Sequence, residues 1–301
     1  MSDLKNKFLS VKEYNSIKEY KEEKLNEEII EILNFTKEEA YYLEKKGFFY
    51  MPNKIIYLRK TENTQNIIQK LSKNKRNKLK KYFKNIKDLE IIKENTINKE
   101  TFREWYYLYK ENINFKKLGL TLIDQDWIIK NKNTSGIFLK KQGELIGGII
   151  CKNCKEDNYL PKRMSISWSA LKEGFRNLGL HDCLIILMID FSYELNYNYI
   201  SLGKDTNIYG KHLSPGIPLF KTSLGYEIFP YKKHQNILIK FNNLDNFDNL
   251  IFFLSYLKDQ DELIANLILK EKTQNIDYYN KTFLKKLRVF KYENKEIIHH
   301  Y

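Results

Sequence analysis

Residues 180–195, LHDCLIILMIDFSYEL, predict a helix without a polar face. Leu180, Leu184, Leu187, Phe191 and Leu195 recur at helical spacing, and Ile185, Ile186 and Ile189 widen the stripe nearly all the way round. A helix that is apolar on every side has to be covered on every side. The rest of the chain must therefore build layers around it, and the nearest segments are strands. Before it, MSISWSAL alternates: Met164, Ile166, Trp168 and Ala170 are expected on one face and Ser165, Ser167 and Ser169 on the other. After it comes a second strand, YNYISLG.

The pattern extends in both directions. LEIIKE reads as a strand, and KETFREWYYLYKENINF as a helix burying Phe102, Trp105, Leu108 and Tyr109. GIFLKK and ELIGGIICK are strands joined through QGE, a hairpin signal. Beyond YNYISLG follow a loop, a short helix IPLFKTSL, and strands in GYEIFPY and QNILIKF. The order is strand, helix, three strands, helix, strand, helix, two strands. It predicts an α+β fold with a mixed, mostly antiparallel sheet flanked by helices. Three regions are expected: an N-terminal α/β region over 1–87, this core over 88–243, and a mostly helical extension over 244–301. In the first, NEEIIEILNFTKEEAYYLEKK reads as helical, GFFYMPNKIIYLRK as an aromatic strand pair, and NIIQKLSKNKRNKLKKYFKNI as a basic helix. Leu79, Phe83 and Ile86 would face inward from that helix.

The chain has 301 residues and a formal charge of +14, which favours anionic partners such as nucleic acid, nucleotide cofactors or acidic lipid. A lysine-rich solvated surface is the plain alternative. The N-terminal stretch is polar, without the apolar core of a signal peptide. The longest apolar runs, around CLIILMIDF and NLIFFLSYL, are too short to span a bilayer. Three cysteines make no disulfide framework, so a cytoplasmic location is expected. Cys151 and Cys154 form one C-x-x-C without a second pair at zinc spacing, and a polar hairpin tip is expected there rather than a metal site. No Ser-His-Asp set, H-E-x-x-H or Walker loop is present in the sequence.

Two stretches carry candidate chemistry. Arg176-Asn177-Leu178-Gly179-Leu180-His181 leads into the apolar helix, whose first backbone N–H groups lack partners and carry the positive end of the dipole. Such an end suits a phosphate, but Gly179 could equally just shape the loop. The second stretch is PLFKTSLGY. Lys221 stands one turn before Gly225, as a charge offsetting the helix dipole or as a cation used in chemistry.

Together, in this order, the two stretches resemble the GNAT acyltransferases. That family's acyl-CoA loop reads Q/R-x-x-G-x-G/A; Arg176 and Gly179 match, while His181 replaces a small residue. The resemblance implies that Arg176, Asn177, Leu178, Gly179, Leu180 and His181 hold the pyrophosphate, and that Ile166 and Trp168 line the pantetheine arm. Many members end the last helix as F-Y-x-x-x-G-F, the tyrosine protonating the departing thiolate. Phe220-Lys221-Thr222-Ser223-Leu224-Gly225-Tyr226 keeps the frame with lysine for tyrosine, similar to the Fem-type peptidyltransferases and the BioF2-like acetyltransferases, a branch with a doubled fold. Ser201-Leu202-Gly203 partly matches that branch's acidic-aromatic-glycine, and the basic helix is like one in its N-terminal half; the expected N-terminal region is then a partial GNAT-like half.

The resemblance implies an N-acyltransferase moving an acyl group from acetyl-CoA or another acyl-CoA to the amine of a small molecule or peptide, without a metal. Lys221 would stabilise developing charge, and Asp205 and Tyr209 are candidates to orient the amine; Glu173 and His212 are further loop polar groups. Two alternatives stand beside it. One is an aminoacyl-tRNA-dependent peptidyltransferase acting on a cell-wall precursor. The other is a non-catalytic nucleic-acid-binding protein.

Overall fold

A computed structural model describes residues 11–20, 28–114, 123–210, 213–232, 235–245, 247–257, 262–270, 276, 279, 287–293 and 296–300. The chain divides into two compact units. One comprises Met1–Ile56, Lys204–Thr222 and Ile228–Tyr301; the other comprises Tyr57–Gly203 and Ser223–Glu227.

The second unit holds the apolar helix, here α6 (Leu180–Glu194). Its sheet has the order β11 (Glu227–Pro230), β4 (Lys54–Lys60), β9 (Tyr199–Thr206), β8 (Arg163–Leu171), β7 (Glu144–Cys154), β6 (Thr134–Lys141) and β5 (Glu90–Glu94). Strands β5 to β8 form an antiparallel meander, and β8 pairs parallel with β9, α6 being the crossover between them. This is the expected mixed, mostly antiparallel sheet flanked by helices. The turn between β6 and β7 places Gln142 and Gly143 at φ 51° and 82°, the hairpin geometry that QGE signals.

Helix α4 (Lys99–Asn114) covers one face with the four residues its spacing predicts: Phe102, Trp105, Leu108 and Tyr109 are all buried. The Trp105 indole donates to the Gly148 carbonyl at 3.1 Å, so its one polar atom is satisfied inside the core. Helix α6 packs on β6, β7 and β8, and α2 (Thr64–Lys70) and α3 (Lys73–Lys84) pack on α6 in turn. The predicted basic helix is thus two helices, because Ser72 caps the second by accepting from the Lys75 N–H. Leu79 and Ile86 are buried as expected, and Phe83 is half-buried.

The other unit corrects the reading of both chain ends. IIEIL is strand β2 (Ile29–Asn34), and only α1 (Lys37–Glu44) is helical. The break falls at Thr36, whose hydroxyl accepts from the Glu39 N–H while the Glu39 carboxylate accepts from the Thr36 N–H. This capping box starts the helix where the alternating β-branched run ends. Thr36→Ala is expected to cost about 1 kcal/mol in urea denaturation. Strands β3 (Phe49–Pro52) and β4 are both present but lie in different sheets. A four-stranded sheet has the order β1 (Val11–Ser16), β2, β12 (Asn236–Phe241), β3.

The mostly helical extension is not found among the described residues. They form β13 (Leu250–Tyr256), β14 (Leu263–Leu269), β15 (Leu287–Glu293) and β16 (Glu296–His300), in a sheet begun by β10 (Ile208–Tyr209). NLIFFLSYL is apolar without a clear period, and length alone does not separate a buried helix from a buried strand in such a run. Leu250–Tyr256 is buried at every position, as a strand covered on both faces requires. Phe253, Ile268 and Phe290 share a core with Met51, Ile237 and Phe241 of the four-stranded sheet.

Candidate functional site

Strands β8 and β9 pair only over Arg163–Ser165 with Tyr199–Ser201, yet β8 continues to Leu171. The parting coincides with a bulge. Trp168 lies opposite Ile150, but Ile166 lies opposite the next residue, Cys151, so Ser167 is the extra residue. The expected single face of Met164, Ile166, Trp168 and Ala170 is therefore split. Trp168 and Ala170 join the α4 core with Ile150, whereas Ile166 and Met164 point to the other face. Trp168 packs edge-on against Trp127 at 4.5 Å, with the Lys152 ammonium 5.4 Å from its ring. Ile166 and Trp168 thus present no common side-chain wall, and what this part of β8 can offer an extended ligand arm is backbone.

The loop after β8 is a 3-10 helix, Glu173–Leu178, followed by Gly179 at φ 75°. Arg176 is half-buried with its Nε 3.4 Å from the Leu171 carbonyl, and Asn177 and Leu178 are exposed. Leu180 is buried as the first residue of α6, and the His181 ring lies 3.1 Å from the Ser169 hydroxyl. Gly179 is demanded twice over. Its left-handed backbone disfavours a side chain, and a Cβ there would overlap the Tyr82 ring of α3. Around it, Lys75 pairs with Asp182 at 2.7 Å and the Asn85 amide donates to the Leu178 carbonyl at 2.9 Å. The glycine is explained by packing, while the N–H groups opening α6 remain what an anion would use. Lys73, Lys78, Lys80, Lys81 and Lys84 of the same α3 are exposed.

The other unit contains the second cluster. Lys221, in the last turn of α7 (Gly216–Ser223), has its side chain 11% exposed and donates to Asp205 Oδ2 at 2.7 Å. The Tyr209 hydroxyl donates to the same oxygen at 2.9 Å. Tyr209 is fully buried, beside Phe252. All three catalytic candidates are therefore joined, around one carboxylate oxygen. Burial pulls the Lys221 ammonium below the ordinary lysine range, and the Asp205 charge and hydrogen bond pull the other way. Helix-dipole compensation does not require this arrangement. The Leu224 carbonyl, just past the helix, accepts from the Arg59 guanidinium, which also fills the space over Gly225. Sequence alone offered no signal for Arg59.

Glu173 is exposed and joins neither cluster, and His212 lies outside the described residues. Ser201 is buried and its hydroxyl accepts from the Gly203 N–H, which steadies the φ of 80° there. The cysteines of the C-x-x-C lie on β7 rather than at a hairpin tip, and three residues along a strand they point to opposite faces. Burial pushes the Cys151 thiol well up and the Cys183 thiol up to about 12. Among the described residues no three His, Cys, Asp or Glu side chains gather as a metal site. Nor is any described helix long and apolar enough to cross a membrane. A cavity of about 420 Å³, lined by Lys60, Tyr193 and Tyr197 among others, contains none of the candidate residues.

No protein-family model matches the chain, and no curated protein matches it. Among solved structures, FemX superposes with a TM-score of 0.47 at 10% identity, over 70% of this chain and 72% of that one. L-PGS from Bacillus licheniformis gives 0.43 at 14% identity, over 71% and 68%. An aminoglycoside acetyltransferase from an uncultured soil metagenomic sample, in complex with sisomicin, gives 0.30 at 17% identity, over 36% and 73%. Likenesses this distant assign neither donor nor acceptor.

Proposed function

We propose that the chain is an N-acyltransferase that takes an acyl group from acyl-CoA and passes it to an amine. The observation that carries this proposal is the early parting of β8 from β9 at a bulge, directly ahead of the loop that opens α6. Strand edges left without a partner offer backbone groups to an amide-bearing arm, and the N–H groups opening α6 suit its pyrophosphate. Arg176 to His181 would hold that end of the donor.

In the transfer, the neutral amine attacks the thioester carbonyl, the N–C bond forms and the C–S bond breaks. The thiolate leaves with the electron pair and takes up the proton that the amine nitrogen loses, so the products are an amide and the free thiol of CoA. Lys221 supplies the positive charge that stabilises the developing oxyanion and thiolate. Asp205 keeps the buried lysine charged against desolvation, and Tyr209 holds Asp205 in place. The acceptor is a small-molecule or peptide amine.

A second reading replaces acyl-CoA with aminoacyl-tRNA, the resemblance to the Fem-type branch implying a cell-wall precursor as acceptor. The exposed lysine row of α3, docked against the loop through Lys75, Tyr82 and Asn85, favours it. Parallel thermal shifts with acetyl-CoA, free CoA and charged tRNA distinguish the two. At a concentration 100 times its Kd, CoA is expected to stabilise by about 2.7 kcal/mol. Arg176→Ala is expected to remove most of that gain while melting within a few degrees of the wild type. Salt-sensitive stabilisation by tRNA without any response to CoA overturns the first reading in favour of the second.

A further inference from the structure

The cavity of about 420 Å³ in the second unit lies at the end of α6 away from the Gly179 loop. The helix has 15 residues, so the two ends stand roughly 20 Å apart. The cavity is walled by Tyr193 of the last turn of α6, the turn that leads to Tyr199 of β9, and Lys60 and Thr61 at the end of β4. Thr61 ties these walls together: its N–H donates to the Asn198 carbonyl at 3.1 Å and its hydroxyl to the Tyr197 carbonyl. The Tyr197 N–H donates to the Ser192 carbonyl and the Asn196 N–H to the Tyr193 carbonyl, both at 3.0 Å. Asn196 is explained by the turn itself, which needs a residue that tolerates φ 57°. The frame is therefore fixed by its own backbone.

The side chains facing this frame are unspent. Among the described residues, the Lys60 ammonium, the Asn198 amide and the Tyr193 and Tyr199 hydroxyls make no hydrogen bond to protein. Neither the Tyr193 nor the Tyr199 ring pairs with another ring or a cation there, and Tyr193 is 53% exposed. Singly, each would be ordinary solvated surface; here they converge on one concavity. Its lining holds one lysine and no acidic residue. The acidic groups nearest in sequence are engaged elsewhere, Glu194 with Lys93 at 2.6 Å and Glu62 with Lys70. The Lys162 ammonium, 4.7 Å from the Tyr197 ring, adds a second positive charge at the edge.

We infer that this cavity binds a nucleoside monophosphate. The base stacks on the tyrosine rings, which accept any base because every base has a π-face. Lys60 takes the phosphate, and the Asn198 amide, donor and acceptor at once, meets the base edge or the ribose. A positive lining without a carboxylate suits an anion, and unpaired aromatic rings suit one that carries a flat ring. The cavity is large enough for such a ligand. This inference does not rest on the proposed acyl transfer, whose candidate residues are all absent from the lining.

Calorimetric titration of the full chain with AMP and UMP tests this directly. Saturable binding is expected, weakened about tenfold for adenosine and uridine, which lack the phosphate, and for ribose 5-phosphate, which lacks the base. Lys60→Gln should bring the monophosphates down to the level of their nucleosides. Tyr193→Ala should weaken nucleotide and nucleoside alike. Both residues are exposed, so both variants should melt close to the wild type. Arg176→Ala should leave the binding unchanged, which separates this cavity from the loop that opens α6. Absence of saturable binding by both nucleotides, or equal binding of nucleotide and ribose 5-phosphate, overturns the proposal. Binding that survives Lys60→Gln or Tyr193→Ala at full strength, or that is lost in Arg176→Ala, overturns its assignment to this cavity.

Discussion

Lys221→Met is expected to lower turnover at least tenfold, and closer to a hundredfold if the lysine faces the developing oxyanion. The same substitution leaves the Asp205 carboxylate buried with only the Tyr209 hydroxyl from the original triad, which is expected to cost about 3 kcal/mol of stability. Those two effects have to be separated. Lys221→Met combined with Asp205→Asn removes both charges while keeping similar volumes, and should recover most of the lost stability. Turnover should stay low in the double variant, because no cation remains. If turnover returns along with stability, Lys221 is part of the scaffold only.

The pH dependence supplies a second readout. The folded-state pKa of Lys221 is lowered by burial, so the ammonium is lost below the ordinary lysine value of about 10.4. Activity that needs the ammonium therefore falls on the alkaline side, beginning below that value, and Lys221→Arg should move the limb upward. The stability sign is opposite. Burying the ammonium weakens the fold at pH values below the folded pKa, and this cost is relieved as pH rises from there toward the unfolded value.

Gly179→Ala is expected to destabilise by about 2–4 kcal/mol, the sum of a left-handed backbone and overlap with the Tyr82 ring. Tyr82→Ala opens the space, so in that background the same substitution should cost about 1–2 kcal/mol, the backbone share alone. A double-mutant cycle in urea isolates the difference. Additive costs would show that Tyr82 does not hold the glycine's place. The outcome matters for reading the loop: a glycine fixed by packing is not by itself a sign of phosphate. Ligand binding is therefore better tested at Arg176 than at Gly179.

Much of the second unit was legible because its segments have clean periods and clear punctuation. The apolar circumference of α6, the Phe102–Tyr109 stripe and the QGE turn each point to one local structure. The bulge at Ser167 was not legible, since MSISWSAL alternates without a break and only pairing with β7 shows the extra residue. The tail failed for a different reason. Strands β13 and β14 are buried on both faces, so neither shows the alternation that separates strand from helix. At the candidate site, Lys221, Asp205 and Tyr209 could be nominated from sequence order, but their sharing of one carboxylate oxygen could not. Arg59 was hidden more deeply, being distant in sequence from the Leu224 carbonyl it serves.

Hydrogen exchange with and without acetyl-CoA tests the central claim most directly. Protection is expected at the amides of Ser167–Ala170 and at those of Leu180, His181 and Asp182, where backbone would meet the donor. Binding of acetyl-CoA that leaves these amides unchanged, or no binding of either acetyl-CoA or charged tRNA, would contradict it.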